Sequence, residues 1–273
     1  MANKNEALVA AYKAGIKRIN AELATFALSD MSRAIRLATL KAIADILAEI
    51  NGEASEWVEK HVTEAVRLGI IDAIIATGAA KTVAEAAKIV SFNRANQALI
   101  DAVITDTYAD LLAVTQNIDR RTRAAVRQAS ATVMRENMAA GINGRKTIGR
   151  EIMAELRKTL GNAVETGIVD AGGRRWRPET YVDMVTRTKI AEAQRESTAN
   201  EAVQRGVFYG VISSHGATDA CARWEGKIVK LTMDAAGEYP YIGDLPRREI
   251  FHPNCKHLVT PIRNPEKLTE GGM

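Results

Sequence analysis

Three of the four histidines and both cysteines of the chain fall near its C-terminal end, at His215, Cys221, His252, Cys255 and His257. They sit in two short polar motifs. One is His215-Gly-Ala-Thr-Asp219-Ala-Cys221-Ala-Arg-Trp224-Glu-Gly226-Lys227; the other is Phe251-His252-Pro253-Asn254-Cys255-Lys256-His257. Imidazole nitrogen and thiolate sulfur gathered this closely are the donors of a zinc site or the makings of a small tied module. Cys255 and His257 are two apart, so an extended backbone puts both side chains on one side, and Pro253 fixes the chain just before them. If the flanking strands pair, His215, Cys221, Cys255 and His257 would complete a tetrahedral zinc site. His252 would then be a spare ligand or a hydrogen-bond partner of one of the four. Two other readings stay open: reduced thiols inside a polar network, and a Cys221–Cys255 disulfide formed after release from the cell. The same residues admit a catalytic class. Cys255 beside a histidine is a nucleophile pair, and His, Asn and His around a metal suit a zinc-dependent hydrolase or nuclease. No oxyanion signature or acid–histidine pair on a compact helix accompanies them.

Positioning these donors falls to three short segments rich in β-branched residues, Val207 to Ser213, Lys227 to Leu231 and Leu258 to Ile262, which read as a small antiparallel sheet. The stretch between the second and third carries Gly237, Pro240, Gly243 and Pro246 and reads as irregular. Before the sheet comes a long polar helix over 179–206, opened by Pro178 at its first position and closed by Gly206. It follows a Gly-rich basic turn, Ala171-Gly-Gly-Arg174-Arg175-Trp176-Arg177-Pro178. Everything upstream is helical in period. Leu8, Tyr12, Ile16, Ile19, Leu23 and Phe26 make one apolar face over 4–28, with Ser29 and Asp30 as caps. A second helix runs to Ile50, where Asn51-Gly52 stops it, and a third starts near Ala54 and ends in a deeply buried run from Ile70 to Ile75. Thr82 and Glu85 form a capping box for a short helix to Val90. Residues 93–115 and 119–139 read as two helices separated at Gln116-Asn117, and 145–160 as another. The expected fold class is α+β: a helical region over 1–142, a mixed domain of helices and a small antiparallel sheet over 143–265, and a mobile tail over 266–273.

Composition narrows the function classes without choosing among them. The chain of 273 residues is 47% hydrophobic and 26% charged, enough for an ordinary core, but only 5% aromatic. Its helices must therefore pack through Ala, Ile, Val and Leu. No stretch is long and apolar enough for a membrane span, no secretory signal is visible, and two cysteines are too few for a secreted disulfide framework; synthesis in the cytoplasm is expected. A net charge of +4 is mildly basic. The densest basic patches are Arg174, Arg175, Trp176 and Arg177, and a helical stripe with Arg120, Arg121 and Arg123. Either could meet DNA phosphates or an acidic protein, or be a solvated face.

Four blocks stand in order in the second half: Asp170-Ala-Gly-Gly-Arg174-Arg175-Trp176; Tyr181-Val-Asp-Met184-Val-Thr-Arg187-Thr188; the motif from His215 through Asp219, Cys221, Trp224 and Gly226 to Lys227; and His252-Pro253-Asn254-Cys255-Lys256-His257 followed by Pro261. In these the chain closely resembles the minor capsid protein 2 family of tailed phages, related to the Mu-type head morphogenesis domain. The resemblance implies a virion structural protein rather than an enzyme. It would be present in a few copies near the portal vertex, with portal or capsid proteins as partners and packaged DNA as a further candidate, and would act in head assembly or DNA delivery. It marks Arg187, Thr188, Asp219, Trp224, Gly226, Lys227, Pro253 and Asn254 as signature positions. Mu-type relatives often carry a Cys-x-x-Cys, then Gly-Lys, then His-Pro-x-Cys-Arg-Cys. Against that pattern Cys221 and Cys255 match, His257 replaces the last cysteine, and Thr218 stands at the first, leaving His215 as the nearby substitute.

Overall fold

The computed structural model describes residues 5–25, 33–141, 145–160, 168–169 and 173–270. Its elements are α1 (Glu6–Thr25), α2 (Arg33–Ala76), α3 (Val83–Lys88), α4 (Arg94–Ala139), α5 (Arg145–Leu160), β1 (Ile168–Val169), β2 (Arg175–Trp176), α6 (Pro178–Gln204), β3 (Tyr209–Ile212), β4 (Ile228–Lys230), β5 (Val259–Ile262) and α7 (Glu266–Glu270). The fold is mainly helical with two small antiparallel sheets, as the α+β reading expects. Ser29, Asp30 and the Asp170-Ala-Gly start of one sequence block lie outside the described residues.

Two expected helix breaks are absent. α2 runs through Asn51-Gly52 and α4 through Gln116-Asn117. A glycine inside a helix costs about 1 kcal/mol. Burial of Ile46, Leu47 and Ile50 before it and of Ala54, Trp57 and Val58 after it outweighs that, at roughly 1.5–3 kcal/mol for each large side chain. Asn51 is not left to compete with its own backbone, because its Oδ1 accepts a hydrogen bond from Thr115 Oγ1 at 2.7 Å. In α4 the buried Val114, Thr115 and Ile118 carry the apolar face straight across the polar pair.

The chain forms two compact units, each assembled from segments distant in sequence. One comprises Met1–Trp57 and Tyr108–Asp183, the other Val58–Thr107 and Met184–Met273. Segments on both sides of residue 142 enter the first unit. In it, α1 buries Leu8, Tyr12, Ile16, Ile19 and Leu23, and Tyr12 donates to the Leu111 carbonyl at 3.3 Å. β1 and β2 pair antiparallel, Ile168 opposite Trp176, with β2 inside the stretch over 171–178 expected to be a plain turn.

The second unit holds the sheet. β3 is the central strand, with β4 on one side and β5 on the other, both antiparallel. The register sets Gly210 opposite Val229 and Pro261, and Ile212 opposite Val259. Gly210 is required there, since a β-carbon would meet the Val259 side chain and press on Leu231. α6 begins at Pro178 and closes at Gly206, whose φ of 70° lets the Val207 N–H reach back to the Ala202 carbonyl at 2.9 Å. That turn feeds the chain directly into β3. Under the sheet lie Val207, Ile212, Val229, Leu231, Ile250 and Val259. The Thr82 cap forms as expected, its Oγ1 accepting from the Glu85 N–H at 3.2 Å, while the Glu85 carboxylate accepts from the Lys81 N–H at 2.9 Å, one residue before the cap. α7 occupies part of the tail after Pro265.

Candidate metal centre

After β3 the chain turns through a short 3-10 helix, Ala220–Trp224, capped by Asp219, whose Oδ1 accepts the Cys221 N–H at 2.9 Å. This turn places the Cys221 thiol inside, 1% exposed. The second motif reaches it by an unusual backbone path. Phe251 and Asn254 are the only described non-glycine residues with positive φ, at 58° and 66°. Such a conformation costs an L-residue about 1–2 kcal/mol, so local contacts must hold it. Phe251 is buried against the core, and the Asn254 N–H donates to Thr188 Oγ1 on α6 at 3.2 Å. This gives the Thr188 signature position its physical role: its hydroxyl fastens the His252–Cys255 turn to the helix. Cys255 N–H to the His252 carbonyl at 2.9 Å closes the turn.

The donors then fall in a chain. His252 Nε2 is 3.0 Å from Cys221 Sγ, which is 3.7 Å from Cys255 Sγ, which is 3.2 Å from His257 Nδ1. Both cysteines are free thiols. Burial, reinforced by contact with Cys255, pushes the Cys221 thiol up to about 12. Cys221, His252 and Cys255 present ligand atoms all within 4.8 Å of one another, and His257 joins them through Cys255.

The outer nitrogen of the His257 ring fixes its tautomer: Nε2 lies 3.1 Å from Glu225 Oε1, and a carboxylate only accepts, so that nitrogen carries the proton and Nδ1 faces Cys255. His252 Nδ1 lies 2.9 Å from the Pro253 carbonyl, while its Nε2 faces Cys221. Asp219 Oδ2 stands 3.3 Å from that same Nε2. The Cys221 N–H bond above all holds Asp219 below the usual carboxylate range.

His215 does not reach the cysteine pair. Its ring stacks at a tilt on His257, centroids 4.1 Å apart, and its backbone N–H donates to Glu225 Oε1 at 2.8 Å. The residue that sequence reading overlooked is Glu225. One oxygen accepts from the N–H groups of His215 and Ala217 (3.0 Å) and from His257, which holds its acidity at about 2. Its only signal was a carboxylate between Trp224 and the turn at Gly226, whose φ is 72°. A carboxyl lowered from 4.5 to about 2 in the fold contributes stability that is full above 4.5 and lost as pH falls toward 2. Glu225→Gln is therefore expected to weaken the second unit at neutral pH and to flatten its acid loss between those values, measured by urea unfolding at stepped pH.

Arg195 sits beneath the loop, 5% exposed, 4.0 Å from the Phe251 ring centroid and in electrostatic reach of Cys255. Trp224 Nε1 and Arg223 both engage Glu249. Lys227, Pro253, Asn254 and Arg187 are exposed. The two basic patches lie in the other unit. Arg174, Arg175 and Arg177 are exposed and Trp176 is half-buried, its ring meeting Tyr181 edge-on at 6.2 Å and Arg174 at 5.4 Å. On α4, Arg120 is exposed, Arg121 half-buried, and Arg123 is held by both oxygens of Asp119 at 2.8 Å. No described helix is long and apolar enough to cross a membrane.

A family model described as phage minor capsid protein 2 matches residues 16–264. No curated protein and no solved structure matches the chain.

Proposed function

Since this chain belongs to the phage minor capsid protein 2 family, and so is a structural component of the bacteriophage virion, we propose that it acts beside the portal as a head-morphogenesis protein, in head assembly or DNA delivery. The observation that carries this reading is the extent of the match, which takes in α2 through β5 and hence both compact units. The first unit offers surface suited to other virion chains. Leu37, Met134 and Met138 are 58%, 48% and 77% exposed, and Leu37 and Met134 line a shallow groove with Arg36 and Arg127. Exposed apolar residues framed by arginines fit a protein interface with a partly acidic partner. Arg174, Arg175 and Arg177 are the residues through which packaged DNA would be met, by phosphate contact alone.

The test is made on a phage that carries the gene. Purified virions should contain the chain in a few copies, portal assemblies should retain it on co-purification, and deleting the gene should give heads that fail in assembly or in genome delivery. Normal, infectious particles lacking the chain would overturn the reading.

The competing class is an enzyme. Beside a zinc-dependent hydrolase or nuclease stands a thiol nucleophile, favoured by the order Cys255, His257, Glu225, which has the sequence of a nucleophile, a base and an orienting carboxylate. Against it stands access: Cys255 is 9% and His257 1% exposed. Turnover abolished by Cys255→Ser in a folded protein would favour that class.

A further inference from the structure

We propose that Cys221, His252, Cys255 and His257 bind a single zinc ion through Cys221 Sγ, His252 Nε2, Cys255 Sγ and His257 Nδ1, and that Glu225 holds the His257 ring in place for it. His215 has no part in the ligand set. The inference stands on the geometry of the second unit and does not depend on where in the virion the protein acts.

Distance is the first argument. Tetrahedral zinc with Zn–S of about 2.3 Å and Zn–N of about 2.0–2.1 Å separates two sulfurs by about 3.8 Å and a sulfur from a nitrogen by about 3.6 Å. The two sulfurs here are 3.7 Å apart. Two sulfur–nitrogen pairs, at 3.0 and 3.2 Å, are shorter than that edge by about half an ångström; Cys221, His252 and Cys255 already lie within 4.8 Å of one another, and the His257 ring, in contact with Cys255 alone, must close on the other two when the ion enters.

Ring polarity is the second argument. The His257 ring spends its Nε2 proton on Glu225 and turns Nδ1 inward, which repeats the carboxylate–histidine arrangement around zinc; at His252 the Pro253 carbonyl, 2.9 Å from Nδ1, is an outward acceptor for the proton when Nε2 takes the metal.

Charge is the third argument. Two thiolates and one Zn²⁺ sum to zero, so the occupied cluster can sit in a buried core beside the Arg195 cation without a net charge of its own. Two sulfurs and two imidazoles select a borderline-soft ion over calcium or magnesium, and four protein ligands leave no open position, which marks the ion as structural. It would tie the 3-10 turn after β3 to the segment that enters β5.

The test uses the full chain, purified without a histidine tag and equilibrated with zinc. Elemental analysis should give close to one equivalent. Cobalt substitution should give the intense visible bands of a tetrahedral site, with sulfur-to-metal charge transfer of two thiolates. Both thiols should resist a thiol reagent until a chelator is added. His252→Ala and Cys255→Ser should abolish stoichiometric binding, Glu225→Gln should weaken it about 10–100-fold, and His215→Ala should leave it unchanged. Less than about 0.1 equivalent of zinc in the folded wild-type chain, or a Cys221–Cys255 disulfide, would each overturn the proposal. So would loss of zinc in a folded His215→Ala variant. The cobalt spectrum and thiol protection are read on wild-type protein, so they decide the matter even if the cysteine variant does not fold.

Discussion

Gly69→Leu should cost the second unit about 3 kcal/mol or more, a substantial share of a typical domain's stability. At this point α2 and α6 come into backbone contact. Thr198 Oγ1 donates to the Gly69 carbonyl at 3.1 Å, and one turn along α2 Asp72 accepts from Gln194 at 2.7 Å. A β-carbon on residue 69 would collide with Ser197 Oγ and with the Gln194 carbonyl oxygen. The hydroxyl can rotate away, but the carbonyl belongs to the helix backbone and cannot. The helices must separate, which breaks the buried Thr198 bond and opens the contact around Val66, Ile70 and Ala193, all fully buried. Gly69→Ala should show a smaller form of the same loss, and adding Ser197→Gly should recover only part of it. Denaturant unfolding measures all three. A change below about 0.5 kcal/mol for Gly69→Ala, the range of an ordinary surface substitution, would mean the helices do not meet there.

Phe251→Ala should lose about 3–5 kcal/mol. The ring is 6% exposed and packs in the core beneath the sheet, so truncation leaves a cavity. That cavity opens against the Arg195 guanidinium, which the ring now faces at 4.0 Å. Burial pulls Arg195 down to about 10, so it remains charged at neutral pH, and a desolvated cation–ring contact contributes about 2 kcal/mol. Phe251→Leu keeps most of the apolar volume and removes only the ring's face, so it should cost clearly less. In an Arg195→Met background the difference between the two replacements should shrink. Equal losses for Phe251→Ala in both backgrounds would show that the ring serves as filler and that the cation is satisfied elsewhere.

The parts of the fold legible in the sequence are those set by local chemistry. Pro178 and Gly206 mark the ends of α6 because one has a fixed φ and the other reaches a positive φ without strain. The three strands stand out because β-branched residues cluster between turn formers. The cap at Thr82 is legible because both partners lie within one turn. Asn51-Gly52 and Gln116-Asn117 misled because their local preference for a break is overridden by tertiary contact: Asn51 finds Thr115, and buried residues continue on both sides. The β1–β2 pair was hidden by its length of two residues per strand.

At the candidate centre, the sequence pointed to Cys221, Cys255 and His257 through their spacing, and the structure gathers them. It put His215 ahead of His252, whereas His252 is the ring that lies against Cys221. That placement depends on the left-handed conformations at Phe251 and Asn254 and on the Thr188 hydroxyl, which comes from a helix more than sixty residues away. Glu225 was invisible for a related reason. Its partners are two backbone N–H groups of a preceding loop, and backbone donors have no letter in a sequence.

The placement of β3 between β4 and β5 has a consequence for synthesis on the ribosome. Its first neighbour follows within twenty residues, but its second begins only at Val259, more than forty residues after β3 ends, and a two-stranded hairpin is marginal in water. Until that strand has emerged, the edge of β3 that β5 covers stays open, so a message cut short before Val259 would yield a polypeptide prone to pair with its neighbours on the same polysome.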